Sequence, residues 1–200
     1  YLDLLHDTTL SDEEKEAYLA AAEASEKKLF FLIESFIKMS RLETRMIQIS
    51  KVGSSLEETV RRAVAMVEKD ARSKDTTISV FQKGDILLPH DGNWLSEAVS
   101  NLLDNSIKYS PAHSTIEVTM TQNEMFSEIR IRDYGIGFEK QEEHQIFKRF
   151  YRGQRVTTQE GFGLGLYIAR EIVAGHRGFM KAKSEDPGTS FSIFIPMENI

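Results

Sequence analysis

The chain has 200 residues, 40% of them hydrophobic, and a formal net charge of −6. This composition supports one hydrophobic core with an appended helical element, and it disfavours broad nucleic-acid binding, which needs a basic face. The absence of cysteine excludes disulfides and thiolate metal sites. No uncharged apolar run reaches the length of about 18 residues that predicts a membrane span. We therefore expect a soluble segment without nucleic acid as a partner.

A long helix is predicted near the N-terminus. Ser11 and Glu14 form a capping-box pattern, and neither proline nor glycine follows until Gly53. Residues at alternating spacings of four and three predict a coiled-coil or bundle seam: Tyr18, Ala22, Ser25, Leu29, Leu32, Phe36, Met39 and Met46. Because this stripe is longer than a small neighbouring domain would cover, we expect a helical homodimer. The alternative is a helix that packs only onto its own domain.

After residue 45 the periodicity predicts a mixed domain. Strands are predicted over 46–52, 76–82, 115–121, 126–132, 178–185 and 190–196, and helices over 54–73, 93–109, 140–150 and 164–174. Helices and antiparallel strands in this order predict an α+β fold, a two-layer sandwich with one sheet and helices on one face. The polar, glycine-punctuated segment 134–160 has the length of a functional loop.

Two carboxamides lie one turn apart on the helix predicted over 93–109. Asn101 and Asn105 share a face, and Lys108 and Tyr109 follow them. A carboxamide oxygen is a hard ligand of the kind that Mg²⁺ prefers. This segment is the first part of a predicted nucleotide site.

A carboxylate and several glycines supply the other two parts. Asp133 ends an apolar strand and precedes Gly135 and Gly137. An ionised carboxylate only accepts hydrogen bonds, so an adenine amino group would be a suitable partner, whereas guanine presents a carbonyl there. In the segment 161–166, the residues Gly161, Gly163, Leu164 and Gly165 open a helix, whose free backbone N–H groups favour phosphate.

In this order, the three segments resemble the N, G1 and G2 boxes of bacterial sensor histidine kinases. The resemblance implies the Bergerat or GHKL ATP-binding fold, preceded by a long bundle helix. It further implies that ATP and Mg²⁺ are cofactors and that these residues bind them: Asn101, Asn105, Lys108, Tyr109, Asp133, Gly135, Gly137, Arg152, Gly161, Gly163, Leu164, Gly165 and Thr189. Asn105 would hold the metal, and the segment 146–153 resembles the F box of the ATP lid, which Phe147 and Phe150 are expected to pin to the domain.

The same resemblance implies catalytic roles for Asn101, Lys108 and Arg152. Lys108 and Arg152 would meet the phosphates. In GHKL ATPases a Glu that activates water stands at the position of Asn101. Because Asn cannot accept a proton from water, we expect ATP binding without efficient hydrolysis.

The resemblance divides the chain at residue 45. Residues 1–45 resemble part of a dimerisation and histidine-phosphotransfer hairpin, and 46–200 resemble the catalytic domain. The family's H-box histidine is expected upstream of this chain, and His6 lacks the H-box context. The implied whole is a membrane-bound sensor with a cytoplasmic kinase portion, whose membrane segments would lie outside this chain and whose partner is the receiver domain of a response regulator. The alternatives are a GHKL ATPase and a dimerising scaffold without catalysis.

Overall fold

The computed structural model describes residues 10–43, 48–82, 84–153, 155 and 161–197. The helices are α1 (Asp12–Glu43), α2 (Leu56–Ser73), α3 (Gly92–Tyr109) and α4 (Gly165–Gly175). The strands are β1 (Val52–Ser55), β2 (Thr77–Gln82), β3 (Leu87–His90), β4 (Thr115–Gln122), β5 (Phe126–Asp133), β6 (Phe179–Ser184) and β7 (Thr189–Pro196). His6, Met46 and the predicted domain boundary at 45–46 lie outside the described residues.

Helix α1 begins at the predicted capping box. The Glu14 N–H donates to Ser11 Oγ over 3.3 Å, and the Ser11 N–H donates to Glu14 Oε2 over 2.8 Å. Each residue therefore satisfies a backbone donor that the first helical turn leaves unpaired. The helix continues without interruption for 32 residues.

The predicted seam of α1 is divided between two environments. Met39 is buried against the domain and Leu32 is partly buried there, whereas Leu29 and Phe36 remain 59% and 60% exposed. An ion pair between Lys38 Nζ and Glu97 Oε1, 2.7 Å long, joins α1 to α3. Part of the seam thus packs on the chain's own domain, and part remains open.

The main sheet has five strands in the order β2-β4-β5-β7-β6. Three of its pairs are antiparallel, but β2 and β4 are parallel. This pair differs from the predicted antiparallel arrangement because β3 and α3 form a crossover between β2 and β4. The local pattern within each strand could not specify that crossover.

The core lies between this sheet and the three helices α2, α3 and α4. In the central strand β5, Ile129 and Ile131 are fully buried, and they alternate with the more exposed Arg130 and Arg132. The helices contribute fully buried residues to the same layer, including Leu56, Val60, Leu95, Leu102, Leu103 and Ile172. The predicted two-layer α+β sandwich, with helices on one face, is confirmed.

Two elements of the structure differ from the elements that the sequence predicts. The first strand is Val52–Ser55 rather than 46–52, and it pairs with β3, which was not predicted. Strand β3 is only four residues long and contains Pro89, so its local pattern is weak. The helix expected over 140–150 is reduced to a 3-10 turn at Lys140–Glu142, and Phe150 adopts a left-handed φ of 58° that an α-helix does not allow.

Among the described residues, no helix is both long enough and apolar enough to cross a membrane.

A fully buried histidine joins the end of α4 to the start of α3. His176 Nε2 accepts the Asp91 N–H over 3.1 Å, which leaves Nδ1 to donate to the Ile172 carbonyl over 2.8 Å. Burial lowers the pKa of His176, while the Ile172 carbonyl and the Asp91 charge oppose that shift. The folded protein therefore favours the neutral ring.

We expect this histidine to make the free energy of unfolding depend on pH. Its pKa is lower in the folded than in the unfolded chain, so its contribution is complete above the unfolded value of about 6.5 and is lost as the pH falls below it. Urea unfolding at pH 7.5 and 5.5 should show a smaller loss on acidification in His176→Gln than in the wild type. The exposed His144→Gln is the matched control, and an unchanged pH dependence in His176→Gln would contradict the prediction.

Candidate functional site

A cavity of about 540 Å³ lies beside α3 and the start of α4. Its wall contains these predicted residues: Asn101, Asn105, Lys108, Tyr109, Asp133, Gly137, Arg152, Gly161, Gly163, Leu164, Gly165 and Thr189. The remaining predicted residue, Gly135, lies behind that wall against the backbone of Tyr109. Residues from separate parts of the chain therefore converge on one site.

The two carboxamides of α3 are held by bonds to the helix backbone. Asn101 Nδ2 donates to the Glu97 carbonyl over 2.9 Å, and Asn105 Nδ2 donates to the Asn101 carbonyl over 2.8 Å. These bonds use the nitrogen of each amide and leave its oxygen as the acceptor that can meet a ligand. The side of α3 that lines the cavity thus presents hard oxygen atoms.

Cations and a neutral phenol lie at the end of α3. Lys108 Nζ is 5.4 Å from the ring centroid of Tyr109, and Arg152 from the lid segment lines the same cavity. Burial raises the pKa of Tyr109, while the positive charge of Arg152 acts in the opposite direction. Two cations and an uncharged aromatic ring therefore line the same cavity.

Asp133 is a buried carboxylate in the cavity wall, only 2% exposed. Its Oδ1 accepts the N–H groups of Gly135 and Thr189 over 2.9 and 3.1 Å, and its Oδ2 accepts the Ser106 hydroxyl over 3.3 Å. Burial raises the pKa of Asp133, and these three donors oppose the rise. Ser106 was not predicted as a site residue, because a small buried helix residue has no pattern of its own.

Two glycines let the backbone close around Asp133. A Cβ on Gly135 would lie 2.5 Å from the Tyr109 carbonyl oxygen, and a Cβ on Gly188 would overlap the Asp133 backbone. Gly188 also has a left-handed φ of 99°. Side chains at these positions would displace the two segments that donate hydrogen bonds to the carboxylate.

The start of α4 places the backbone N–H groups of its first turn at the cavity. Leu164 occupies the N-cap position without a side-chain cap, and Gly165 and Leu166 of the first turn line the cavity. Gly163 has a φ of 67°, and a Cβ there would lie 2.8 Å from the Tyr151 nitrogen. An uncapped helix N-terminus of this kind favours an anionic group.

Residues 90–199 match the family of histidine kinase-, DNA gyrase B- and HSP90-like ATPases. The chain belongs to this family. A relative of known sequence, the sensor protein kinase WalK of Staphylococcus aureus, is 31% identical over 207 aligned residues, which cover the whole chain and 49% of that protein. In strain JH9 the same alignment covers 34% of WalK, so the chain spans half or less of the curated relatives it matches.

Solved structures resemble the chain, among them that of a sensor histidine kinase. The mycobacterial sensor histidine kinase MprB is 29% identical, with a TM-score of 0.66 over 75% of this chain and 99% of that one. Full-length ShkA in complex with AMPPNP is 22% identical, with a TM-score of 0.79 over 98% of this chain and 42% of that one, and shows the shared fold. The predicted resemblance to two-component sensor histidine kinases is confirmed.

In this family member, a buried glutamate holds together the segment 139–151, which includes most of the part that resembles the F box of the ATP lid. Glu142 Oε2 accepts the Glu139 N–H over 2.8 Å, and Glu142 Oε1 accepts the Tyr151 hydroxyl over 2.7 Å. Tyr151 directly precedes Arg152, so this bond fixes the backbone next to the arginine. Glu142 was not predicted, because a buried glutamate inside a polar segment cannot be distinguished by sequence from a solvated one.

The aromatic residues of the lid separate into a buried and an exposed one. Phe147 is buried, as predicted, whereas the prediction that Phe150 pins the lid is wrong, because Phe150 is 60% exposed. The left-handed backbone of Phe150 turns its side chain outward, and its N–H donates to the Gly163 carbonyl over 3.0 Å. The backbone of Phe150, rather than its ring, joins the lid to the start of α4.

The residues present fit a magnesium ion shared with phosphates. Within the described ranges, no group of three or more histidine or acidic side chains converges as a metal cluster. Mg²⁺ needs no such cluster, because it is commonly held by one or two protein oxygens, water and substrate phosphates. Asn105, whose amide nitrogen is already bonded to the backbone, presents an oxygen of the required kind.

Proposed function

We propose that the chain binds ATP with Mg²⁺ as the nucleotide-binding core of a sensor histidine kinase. This proposal rests on the observation that three features line one cavity. They are the buried Asp133 carboxylate, the carboxamides of α3 and the uncapped start of α4. A buried acceptor suits the adenine amino group, and the helix start suits phosphates. The similarly folded ShkA, whose structure is a complex with AMPPNP, supports the same ligand class.

Within this proposal, the side chains have distinct roles. Asp133 accepts the adenine amino group, Gly135 and Gly137 let the backbone approach the base, and the Thr189 hydroxyl helps to read the adenine side. The metal supplies charge neutralisation at the phosphates when bound, and Asn105 holds it. Lys108, Arg152 and the N–H groups at residues 161–165 meet the phosphates, and Tyr109 lies on the adenine side.

The reaction that we propose for the whole protein is transfer of the γ-phosphoryl group to a histidine and then to an aspartate of a response regulator. Asn101 cannot act as a general base towards water, which disfavours the hydrolytic alternative. The exposed row of Leu29, Phe30, Ile33 and Phe36 on α1 supports a homodimer through the helical hairpin. This portion would be cytoplasmic, attached to membrane segments elsewhere in the protein.

We further infer that the chain on its own does not autophosphorylate. Of its described histidines, His90 and His176 are fully buried, and His113 and His144 are exposed without an acidic H-box context. In-line transfer requires a histidine held at the γ-phosphate, which a second hairpin would have to supply.

The variant Asp133→Asn tests recognition of the base. It keeps Oδ1, which accepts the Gly135 and Thr189 N–H groups, and replaces Oδ2 by an amide that can donate to the Ser106 hydroxyl, so the fold should survive. Loss of one buried acceptor should weaken ATP binding by about 1–3 kcal/mol. Calorimetry at fixed Mg²⁺ measures this change, with the exposed Asp70→Asn as control. A folded Asp133→Asn with wild-type ATP affinity would refute the assignment.

The variant Asn105→Ala tests the metal site. Its ATP affinity with Mg²⁺ should fall by about tenfold or more, since removing even an outer partner of a metal ligand costs that much. With chelator in place of Mg²⁺, Asn105→Ala and the wild type should bind ATP equally. Asn93→Ala, at the exposed start of the same helix, should behave as wild type. If the wild type bound ATP equally with Mg²⁺ and with chelator, Asn105 would have no metal role.

Radiolabelled ATP tests the transfer step. The chain alone should take up no acid-labile, base-stable label, and any label should be confined to a separate hairpin that carries an H-box histidine when the two are mixed. Stoichiometric label on the chain that disappears in His6→Gln would show that the acceptor is His6.

A further inference from the structure

Helix α1 has two faces with different surroundings. Ala24, Lys28, Leu32, Ser35 and Met39 follow one another at spacings of four and three, which places them on one side of the helix. Ser35 and Met39 are buried, so this side faces the ATP-binding domain. The exposed apolar row at 29, 30, 33, 36 and 37 lies on the remaining surface.

The domain-facing side of α1 extends over the nucleotide cavity. Its C-terminal part is attached by Met39 and by the ion pair of Lys38 with Glu97. About 15–22 Å further towards the N-terminus, at the rise of a helix, Ala24, Lys27 and Lys28 line the cavity itself. A helix outside the sheet-and-helix sandwich therefore forms part of the site wall.

These two lysines change the charge of the cavity. Its described wall contains four basic side chains, Lys27, Lys28, Lys108 and Arg152, and two acidic ones, Asp104 and Asp133. Half of the basic side chains thus come from α1, in a chain whose formal net charge is −6. An anionic ligand in this cavity has to be attracted by the local groups, because the overall charge repels it.

We propose that Lys27 and Lys28 of α1 contact the phosphates of the bound nucleotide and complete its site. The inference rests on the proposed ATP binding and adds a contribution from α1 to it. Because binding linkage is reciprocal, phosphates that favour the docked position of α1 are themselves bound more tightly when α1 is docked. The number of phosphates on the bound nucleotide then affects how firmly α1 is held against the domain.

The test compares ligands that differ in phosphate number. In the double variant Lys27→Gln/Lys28→Gln, ATP affinity should fall on the order of fivefold, as for two exposed ion pairs, and the loss should shrink at high salt. Adenosine, which carries no phosphate, should bind the variant and the wild type equally. The control Lys15→Gln/Lys69→Gln removes the same charge at positions outside the cavity wall.

Hydrogen exchange supplies a second readout. Adding ATP should increase protection of residues 20–30 in the wild type and in the control, but much less in Lys27→Gln/Lys28→Gln. Equal ATP affinity in the wild type and this variant, or equal losses for ATP and adenosine, would overturn the proposal while leaving ATP binding intact. Failure of the wild type to bind ATP at all would overturn the proposed function together with this inference.

Discussion

The Asp133 carboxylate is the interaction on which the site depends. It receives hydrogen bonds from Ser106 on α3, from Gly135 after β5 and from Thr189 on β7. Burying an unpaired carboxylate would be costly, and these donors offset that cost only while the three segments keep their places. The group proposed to read the base therefore also joins the helix layer to strands β5 and β7.

That single arrangement accounts for the glycines around it. Gly135 lies against the Tyr109 backbone, and Gly188 lies against the Asp133 backbone. Larger side chains at either position would force apart the segments that supply N–H groups to the carboxylate. The glycine pattern in the sequence is thus a steric consequence of a buried acceptor with backbone donors on two sides.

Local patterns predicted the elements that local chemistry determines. The capping box at Ser11, the amphipathic period of α2 and α3, and the glycines before α4 each carry their signal within a few residues. Strand β3, the parallel pairing of β2 with β4, and the exposure of Phe150 depend on partners distant in sequence, so no local pattern indicated them. Glu142 and Lys27 illustrate the same limit within the site, because one is a buried acid and the other a helix-surface lysine whose surroundings arise only in the folded chain.

The position of α1 follows from weak forces that a ligand can influence. The described contacts that attach it to the domain include two buried residues, Ser35 and Met39, and the partly exposed pair of Lys38 with Glu97. An ion pair of this exposure contributes at most about 1 kcal/mol, and burial of a side chain such as Met39 contributes about 1.5–3 kcal/mol. A coupling of about 1–3 kcal/mol, typical of linked sites, is therefore comparable with one of these contacts. Since the exposed apolar row lies on the same helix as Lys27 and Lys28, α1 joins the proposed dimer surface directly to the cavity.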